Sequence, residues 1–494
     1  MTQAKHLSDL GLTARGGDNP VITGLCVDSR AVRPGNLFAA MPGSVIHGAH
    51  YIRAAVTRGA SAILTDAEGA AIAREEIAPD DLTAALIVAQ DPRQALAYAA
   101  ALWFGAQPET MVAVTGTNGK TSVATFTRQI WMALDHAAIN IGTTGVEGAW
   151  HAPCPHTTPE PITLHHMLAE AEAAGVTHAA MEASSHGLDQ RRLDGVRLVA
   201  AGFTNFTQDH LDYHHTFDAY FDAKAGLFTR ILPEDGVAVI NIDDPRGTAM
   251  ANLAEDREQD VLRVGRDPIA DLRILGQRFD GSGQDVRLEW LGEAHQIRLS
   301  LIGGFQADNV ALAAGLCIGA GDDPKQVFDT LSQLTGVRGR MQRVATRKNG
   351  ASVFVDYAHT PDALETALTA LRPHVMGRIV VVFGAGGDRD TIKRPLMGRA
   401  AAAHADVLFV TDDNPRSEDP ASIRAAILAA CPEATEVGDR AEAILRGVDA
   451  LGPGDALLIA GKGHESGQTI KGQTYPFDDA EQASIAVAAL DGLI

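Results

Sequence analysis

Lys120 and Thr121 directly follow Gly116-Thr117-Asn118-Gly119, and that stretch follows the apolar run Met111 to Thr115. The order describes a buried strand, a glycine-flanked turn and the start of a helix. Backbone N–H groups at such a helix N-terminus, the positive end of its dipole and a lysine ammonium together suit a polyphosphate. The Thr121 hydroxyl is placed to reach the Mg²⁺ ion that accompanies it. The expected occupant is a nucleoside triphosphate. The stretch departs from the usual phosphate-loop pattern in one respect, because Val114 stands where that pattern has its first glycine. An ordinary strand-to-helix turn with a surface lysine is the competing reading, but it leaves the order of strand, glycines, Lys and Thr without a purpose.

Two further polar stretches follow apolar runs in the middle of the chain. MEASSHGLDQRR (181–192) carries Glu182, and FTNFTQDHLDYHHTFDAYFDAK (203–224) carries His210. An oxygen and a nitrogen ligand beside a phosphate loop point to a divalent ion, although either residue alone would be read as solvated or hydrogen-bonded. Gln190 and Arg192 could hold a second, anionic substrate, or equally form a solvated basic turn. In the last third, DYAHTPD, GAGGDRD, TDDNPR and GKGHE each follow the C-terminal end of an apolar strand, where open α/β sheets build their ligand crevices. Polar loops at four strand ends exceed what turn chemistry requires, so a site is expected there. GAGGDRD also suggests a dinucleotide loop. Arg389 occupies the third glycine position, however, and its side chain obstructs the close helix packing that glycine permits.

These loops need a scaffold, and the rest of the chain supplies one. At 494 residues it exceeds a single core, and three domains are expected: 1–107, 108–337 and 338–494. The first reads as a small α/β domain, from the strand-like runs GLCVDS, LFAAM, SAILTD and AALIVAQ with helical stretches such as YIRAAVTRGA. The second holds the phosphate loop and runs at 177–181, 196–203 and 237–242, a parallel sheet with helical crossovers. The third is a doubly wound α/β sheet. With 46% hydrophobic and 21% charged residues the composition is that of a folded globular protein. A net charge of -21 disfavours nucleic acid and anionic membrane surfaces, so an anionic ligand must be held by local loops. Cys26, Cys154, Cys317 and Cys431 form no CxxC pair, which indicates neither a zinc knuckle nor a disulfide scaffold. The N-terminus lacks a long apolar segment and no run of about 18 apolar residues occurs, so a cytoplasmic protein without membrane insertion is expected.

GTNGKTS, MEASSHGL, FTNFTQDHLDYH with Lys224 downstream, DYAHTPD, GGDRD, DNPR and GKGHE together resemble the Mur ligases of peptidoglycan synthesis, from about Asp28 to Glu465. The ordered set is far more specific than any one motif. The resemblance implies the three-domain Mur ligase architecture and a monomer. Its activity would be that of an ATP-dependent, Mg²⁺-requiring amide ligase adding meso-2,6-diaminopimelate to UDP-N-acetylmuramoyl-L-Ala-D-Glu through an acyl phosphate. By the same resemblance Ser29, Ser44, Val45, Ile46, Thr157, Thr158, Ser184, Gln190 and Arg192 would contact the UDP substrate. Gly116, Thr117, Asn118, Gly119, Lys120, Thr121, Ser122, Asn309, Arg340, His359 and Lys393 would contact ATP. Arg389, Asp413, Asn414, Pro415, Arg416, Gly461 and Glu465 would form the diaminopimelate pocket, with Arg416 pairing the distal carboxylate that lysine lacks. Thr121, Glu182, His210 and Lys224 would stand at the metal. Lys120, Lys224, Glu182 and His210 would be catalytic, Lys224 as a lysine carbamylated by CO₂. An L-lysine-adding enzyme, a folylpolyglutamate synthase and a nucleotide-binding switch protein are the alternatives.

Overall fold

The computed structural model describes residues 4–43, 45–78, 81–154, 156–207 and 211–493. The chain divides into two compact units: Met1–Ala270 with Leu312–Pro324, and Asp271–Ala311 with Lys325–Ile494.

After a short antiparallel pair, Lys5–His6 with Val21–Ile22, the first unit forms a sheet of four parallel strands in sequential order, β1 (Gly24–Cys26), β2 (Asn36–Ala39), β3 (Ala62–Thr65) and β4 (Ala85–Val88). Buried on both faces, β2 is apolar from Leu37 onward, as central parallel strands are. Leu37 and Ala39 face a cluster with Leu96 and Trp103, while Phe38 faces Ile52 and Ala55. The helix that closes this sheet, α1 (Pro92–Phe104), is written in its ends. Asp91 caps it by accepting from Gln94 N, Pro92 opens it, and Gly105 stops it with φ +77°.

The same unit continues with a larger sheet, in order β7 (Gly145–Gly148), β6 (Ala138–Gly142), β8 (His178–Glu182), β5 (Thr110–Thr115), β9 (Ala200–Phe203), β10 (Val237–Asn241) and β11 (Asp260–Gly265). All neighbours are parallel except the 145–148 edge strand. Central β5 lies between β8 and β9, so the loops after all three emerge at one sheet edge. Helix α2 (Lys120–Ala133) leaves the phosphate loop and buries Val123, Phe126, Ile130 and Trp131. The run expected as a strand over 196–203 pairs only at Ala200–Phe203. Val196 and Leu198 alternate inward with exposed Arg197 and Val199, which gives strand periodicity without a partner strand.

The second unit opens with an antiparallel meander, Leu272–Asp280, Gly283–Trp290 and Glu293–Leu299. Its main sheet has the order 342–346, 352–356, 456–460, 379–383, 407–410, 435–436, parallel except for its first pair. Val381, Phe383 and Leu458 pack against the helices Pro361–Leu371 and Lys393–His404. Val380, Val382, Leu457 and Ile459 pack on the opposite face, against Arg440–Asp449 and Asp479–Leu490. This is the doubly wound sheet read from the sequence. Among the described residues, no helix is long and apolar enough to cross a membrane.

Candidate active site

In the first unit the phosphate loop is held from beneath. Thr204 donates its hydroxyl to the Asn118 carbonyl at 2.6 Å, Asn205 accepts from Asn118 N at 2.9 Å and the Asn205 carbonyl accepts from Thr117 N at 2.8 Å. Gly116 sits at φ +141°, and a Cβ there would lie 1.8 Å from Thr204 Oγ1, so only glycine fits. Lys120 Nζ donates to the carbonyls of Gly116 and Thr117 at 2.9 and 2.8 Å. Lys224, 1% exposed on the helix Phe217–Gly226, reaches the same Gly116 carbonyl at 2.7 Å and lies 4.5 Å from the Tyr220 ring centre. As a free amine Lys224 is therefore a donor to the loop; only a modified, oxygen-bearing lysine could serve a cation.

Glu182 ends strand β8 and is buried. Its carboxylate accepts from Thr121 Oγ1 at 3.0 Å, from Thr143 N at 2.8 Å and from Thr143 Oγ1 at 3.3 Å. A carboxylate offers about four lone-pair sites, so this one retains capacity. Hydroxyl and carboxylate oxygens are the donor set that Mg²⁺ takes alongside a nucleotide's phosphates, and Thr121 with Glu182 fits that ion. His210 lies outside the described residues. Thr158 donates to the Glu182 carbonyl and accepts from Ser184 N, while Thr157 shares a hydrogen bond with Thr143 at 3.1 Å; these three form a polar bed beside Glu182.

A cavity of about 850 Å³ opens in the same unit, lined by Asp28, Ser29, Arg30, Ile46, Arg93 and Glu160 together with Gln190 and Arg192. Arg192 donates to the Thr158 carbonyl at 2.7 Å and to Gln190 Oε1 at 2.8 Å, which fixes both side chains at the cavity. Arg30 grips Asp28 and draws its carboxyl down to about 2. Val45 is fully exposed and Ser44 lies outside the described residues. Thr157, Thr158 and Ser184 stand near Glu182 and do not line this cavity.

In the second unit, the loops after the sheet strands carry a second polar group. The Arg340 guanidinium stacks 4.7 Å from the Tyr357 ring centre, and Lys393 donates to the His359 carbonyl at 2.9 Å. Burial lowers the Lys393 pKa, and Asp413 and Asp390 oppose it. Burial also pushes His464 down to about 4, with Arg340 acting the same way, so this ring is neutral at pH 7. Asn309 is buried and donates to Gln306 at 3.2 Å. Asn414 Nδ2 donates to Glu465 Oε2 at 2.9 Å, joining the TDDNPR and GKGHE loops. Gly461, at φ +119°, permits Asp413 to approach where a Cβ would lie 2.4 Å from its Oδ2. Arg416 sits at φ +52°, buries one guanidinium donor on the Gly387 carbonyl at 2.8 Å, and pairs through its backbone with Thr469 and Lys471. Arg389 is exposed, and among the described residues its side chain hydrogen-bonds within its own turn, at the Asp388 carbonyl.

Three family models cover the chain: a Mur ligase family catalytic domain at residues 21–103, a Mur ligase middle domain at 114–317 and a Mur ligase glutamate ligase domain at 339–463. The chain is 50% identical over 472 residues, 95% of both chains, to the UDP-N-acetylmuramoyl-L-alanyl-D-glutamate–2,6-diaminopimelate ligase of Bradyrhizobium diazoefficiens. The chain belongs to the Mur ligase family. The Caulobacter vibrioides protein of the same name is 48% identical over 99% of both chains. A solved structure of a ligase with that name superposes with a TM-score of 0.70 at 33% identity, covering 95% of each chain. The three-domain Mur ligase architecture is thus the one expected from the motifs. Within each unit the structure brings together the residues read from one motif cluster: Lys120, Thr121, Glu182 and Lys224 in the first, Asp413, Asn414, Arg416 and Glu465 in the second. Sequence reasoning passed over Thr143, which braces Glu182, Arg93 at the cavity, and Lys462, quoted within GKGHE but given no role. A polar residue following an apolar strand was the available signal for Thr143 and for Lys462, and Arg93 carried none.

Proposed function

We propose that the chain is an ATP-dependent amide ligase that joins meso-2,6-diaminopimelate to the D-glutamate γ-carboxylate of UDP-N-acetylmuramoyl-L-Ala-D-Glu. The observation that carries this reading is the braced loop of Gly116–Thr121 with Glu182 and Lys224 around it, in a Mur ligase whose TDDNPR and GKGHE loops are joined by Asn414 and Glu465. The γ-carboxylate oxygen attacks the ATP γ-phosphorus and ADP leaves, giving an acyl phosphate. The amine then forms the C–N bond, the tetrahedral carbon expels inorganic phosphate, and the amine proton goes to solvent. The protein's work is positioning and charge neutralisation. Backbone N–H groups from Gly116 to Ser122 and the Lys120 ammonium hold the phosphates, with Asn309, Arg340, His359 and Lys393 as further nucleotide contacts. Thr121, Glu182, His210 and a carbamylated Lys224 would hold Mg²⁺, which screens phosphate charge when bound.

The cavity with Ser29, Gln190 and Arg192 suits the anionic UDP substrate, its arginines supplying planar donor forks. Arg416 pairs with the distal carboxylate of diaminopimelate, Asp413 and Glu465 serve the adjoining ammonium, Asn414 holds Glu465 and has a second amide hydrogen for the carboxylate, and Arg389, Pro415 and Gly461 complete the pocket. A site built on a charged hydrogen bond rejects the analogue that lacks it by about 10⁴–10⁵-fold, so L-lysine should be a very poor substrate. The test compares kcat/KM for the two amino acids in wild type and in Arg416→Ala. Loss of the preference in the variant supports the assignment, and an unchanged preference removes it.

A further inference from the structure

We infer that Lys462 is a positioning residue for amino-acid recognition, acting through Asn414 and Glu465 without touching the substrate; the inference rests on the diaminopimelate reading of that pocket. Lys462 stands between two glycines of a loop, where a lysine would ordinarily be solvated, yet its side chain is 0% exposed. Its ammonium donates to Asn414 Oδ1 at 3.3 Å, to Glu465 Oε2 at 3.1 Å and to the Gly467 carbonyl. An ammonium carries three hydrogens, and three acceptors use them all. No donor remains for a ligand.

What the three bonds do is set the polarity of their neighbours. Asn414 Oδ1 accepts from both Lys462 and Thr469 N, the latter at 2.9 Å. The amide is thereby locked with Nδ2 towards Glu465, to which it donates at 2.9 Å. Glu465 Oε2 receives two donors, one of them charged, so the carboxylate is anchored by one oxygen. Its Oε1 makes no hydrogen bond among the described residues, and the side chain is one-third exposed. Glu465 is thus a fixed acceptor presenting one oxygen, the arrangement that receives a substrate ammonium without reorganisation. Lys462 also ties together three segments that must move as one pocket: the TDDNPR loop, the GKGHE loop and the hairpin Gly467–Ile470 with Gln473–Pro476.

The test is steady-state kinetics of Lys462→Met in the full-length enzyme, with KM measured separately for diaminopimelate, ATP and the UDP substrate. The expected result is a rise of at least tenfold in KM for diaminopimelate, with the other two constants within about twofold. In a Glu465→Gln background the same substitution should add less than threefold, because its route to the substrate is already cut. An equal change in all three constants, or full additivity with Glu465→Gln, would overturn the inference in favour of a mere loop staple. Should Lys462→Met not fold, Lys462→Gln, which keeps donors but removes the charge, reads the same quantity, and an unchanged KM for diaminopimelate overturns it. A wild-type enzyme that ligates L-lysine as well as diaminopimelate would instead remove the underlying reading, and this inference with it.

Discussion

Gly116→Ala tests the claim that the loop beneath the phosphates is braced to one geometry. The added methyl would be 1.8 Å from Thr204 Oγ1 and 3.0 Å from both Asn205 N and O, at a backbone φ of +141° that side-chain-bearing residues rarely adopt. A contact below 3.0 Å does not persist, so the loop or Thr204 must shift by roughly 1 Å, the displacement that costs about 100-fold in rate when it falls on a positioned group. Thr204 cannot yield freely, because its hydroxyl holds Asn118. The Gly116 carbonyl also carries both Lys120 and Lys224, so the shift reaches each of these side chains. The backbone strain itself adds about 1–3 kcal/mol of destabilisation. Phosphate release under saturating substrates should therefore fall about 100-fold, while the Kd for the UDP substrate, whose cavity includes no residue of this loop, stays within about threefold. Adding Thr204→Ala should recover part of the rate by removing the obstructing atom. A Gly116→Ala enzyme with kcat within threefold of wild type would refute the reasoning.

Asp479→Ala strands the Arg440 guanidinium, whose two bonds to that carboxylate are 2.7 Å each with both side chains 0% exposed; urea denaturation should register a loss of about 3–5 kcal/mol, and a loss under 1 kcal/mol would count against the pair. His165 is buried and its pKa is drawn down to about 4 by desolvation, so the unfolded chain binds a proton at pH 5 that the folded chain does not. Its contribution is present above pH 6.5 and disappears as pH falls towards 4; unfolding measured at pH 7 and pH 5 should show a difference that shrinks in His165→Gln, and an identical difference would contradict the assignment. Lys224→Ala should lose ligation and regain part of it with short carboxylic acids, which replace carbamate oxygens; full activity without them would end the carbamate proposal.

The strand ends were legible because parallel strands buried on both faces leave apolar runs, and the polar residues after them have no packing reason to be there. Asp91-Pro92 and Gly105 likewise announce a helix in their own chemistry. The meander 272–299 went unread although DGSG and LGE separate its alternating runs, since weak half-buried strands carry little signal one at a time. Lys462 could not be read as buried. Nothing local distinguishes it from a solvated loop lysine, and its burial is decided by Asn414, forty-eight positions earlier in the chain. Arg191 is a similar case. Its pair with Asp91, at 2.8 Å, and its φ of +59° are properties of the folded unit. The overlong strand expected at 196–203 shows the reverse failure, in which alternation is present and the partner strand is not.

The measurement that bears most directly on the account is product analysis by mass spectrometry after incubating the protein with ATP, Mg²⁺, UDP-N-acetylmuramoyl-L-Ala-D-Glu and an equimolar mixture of meso-diaminopimelate and L-lysine. The account predicts the diaminopimelate-bearing tripeptide nucleotide with stoichiometric phosphate release, and no phosphate release when either the nucleotide dipeptide or the amino acid is left out. Comparable amounts of the lysine product, or phosphate release independent of the amino acid, would contradict it.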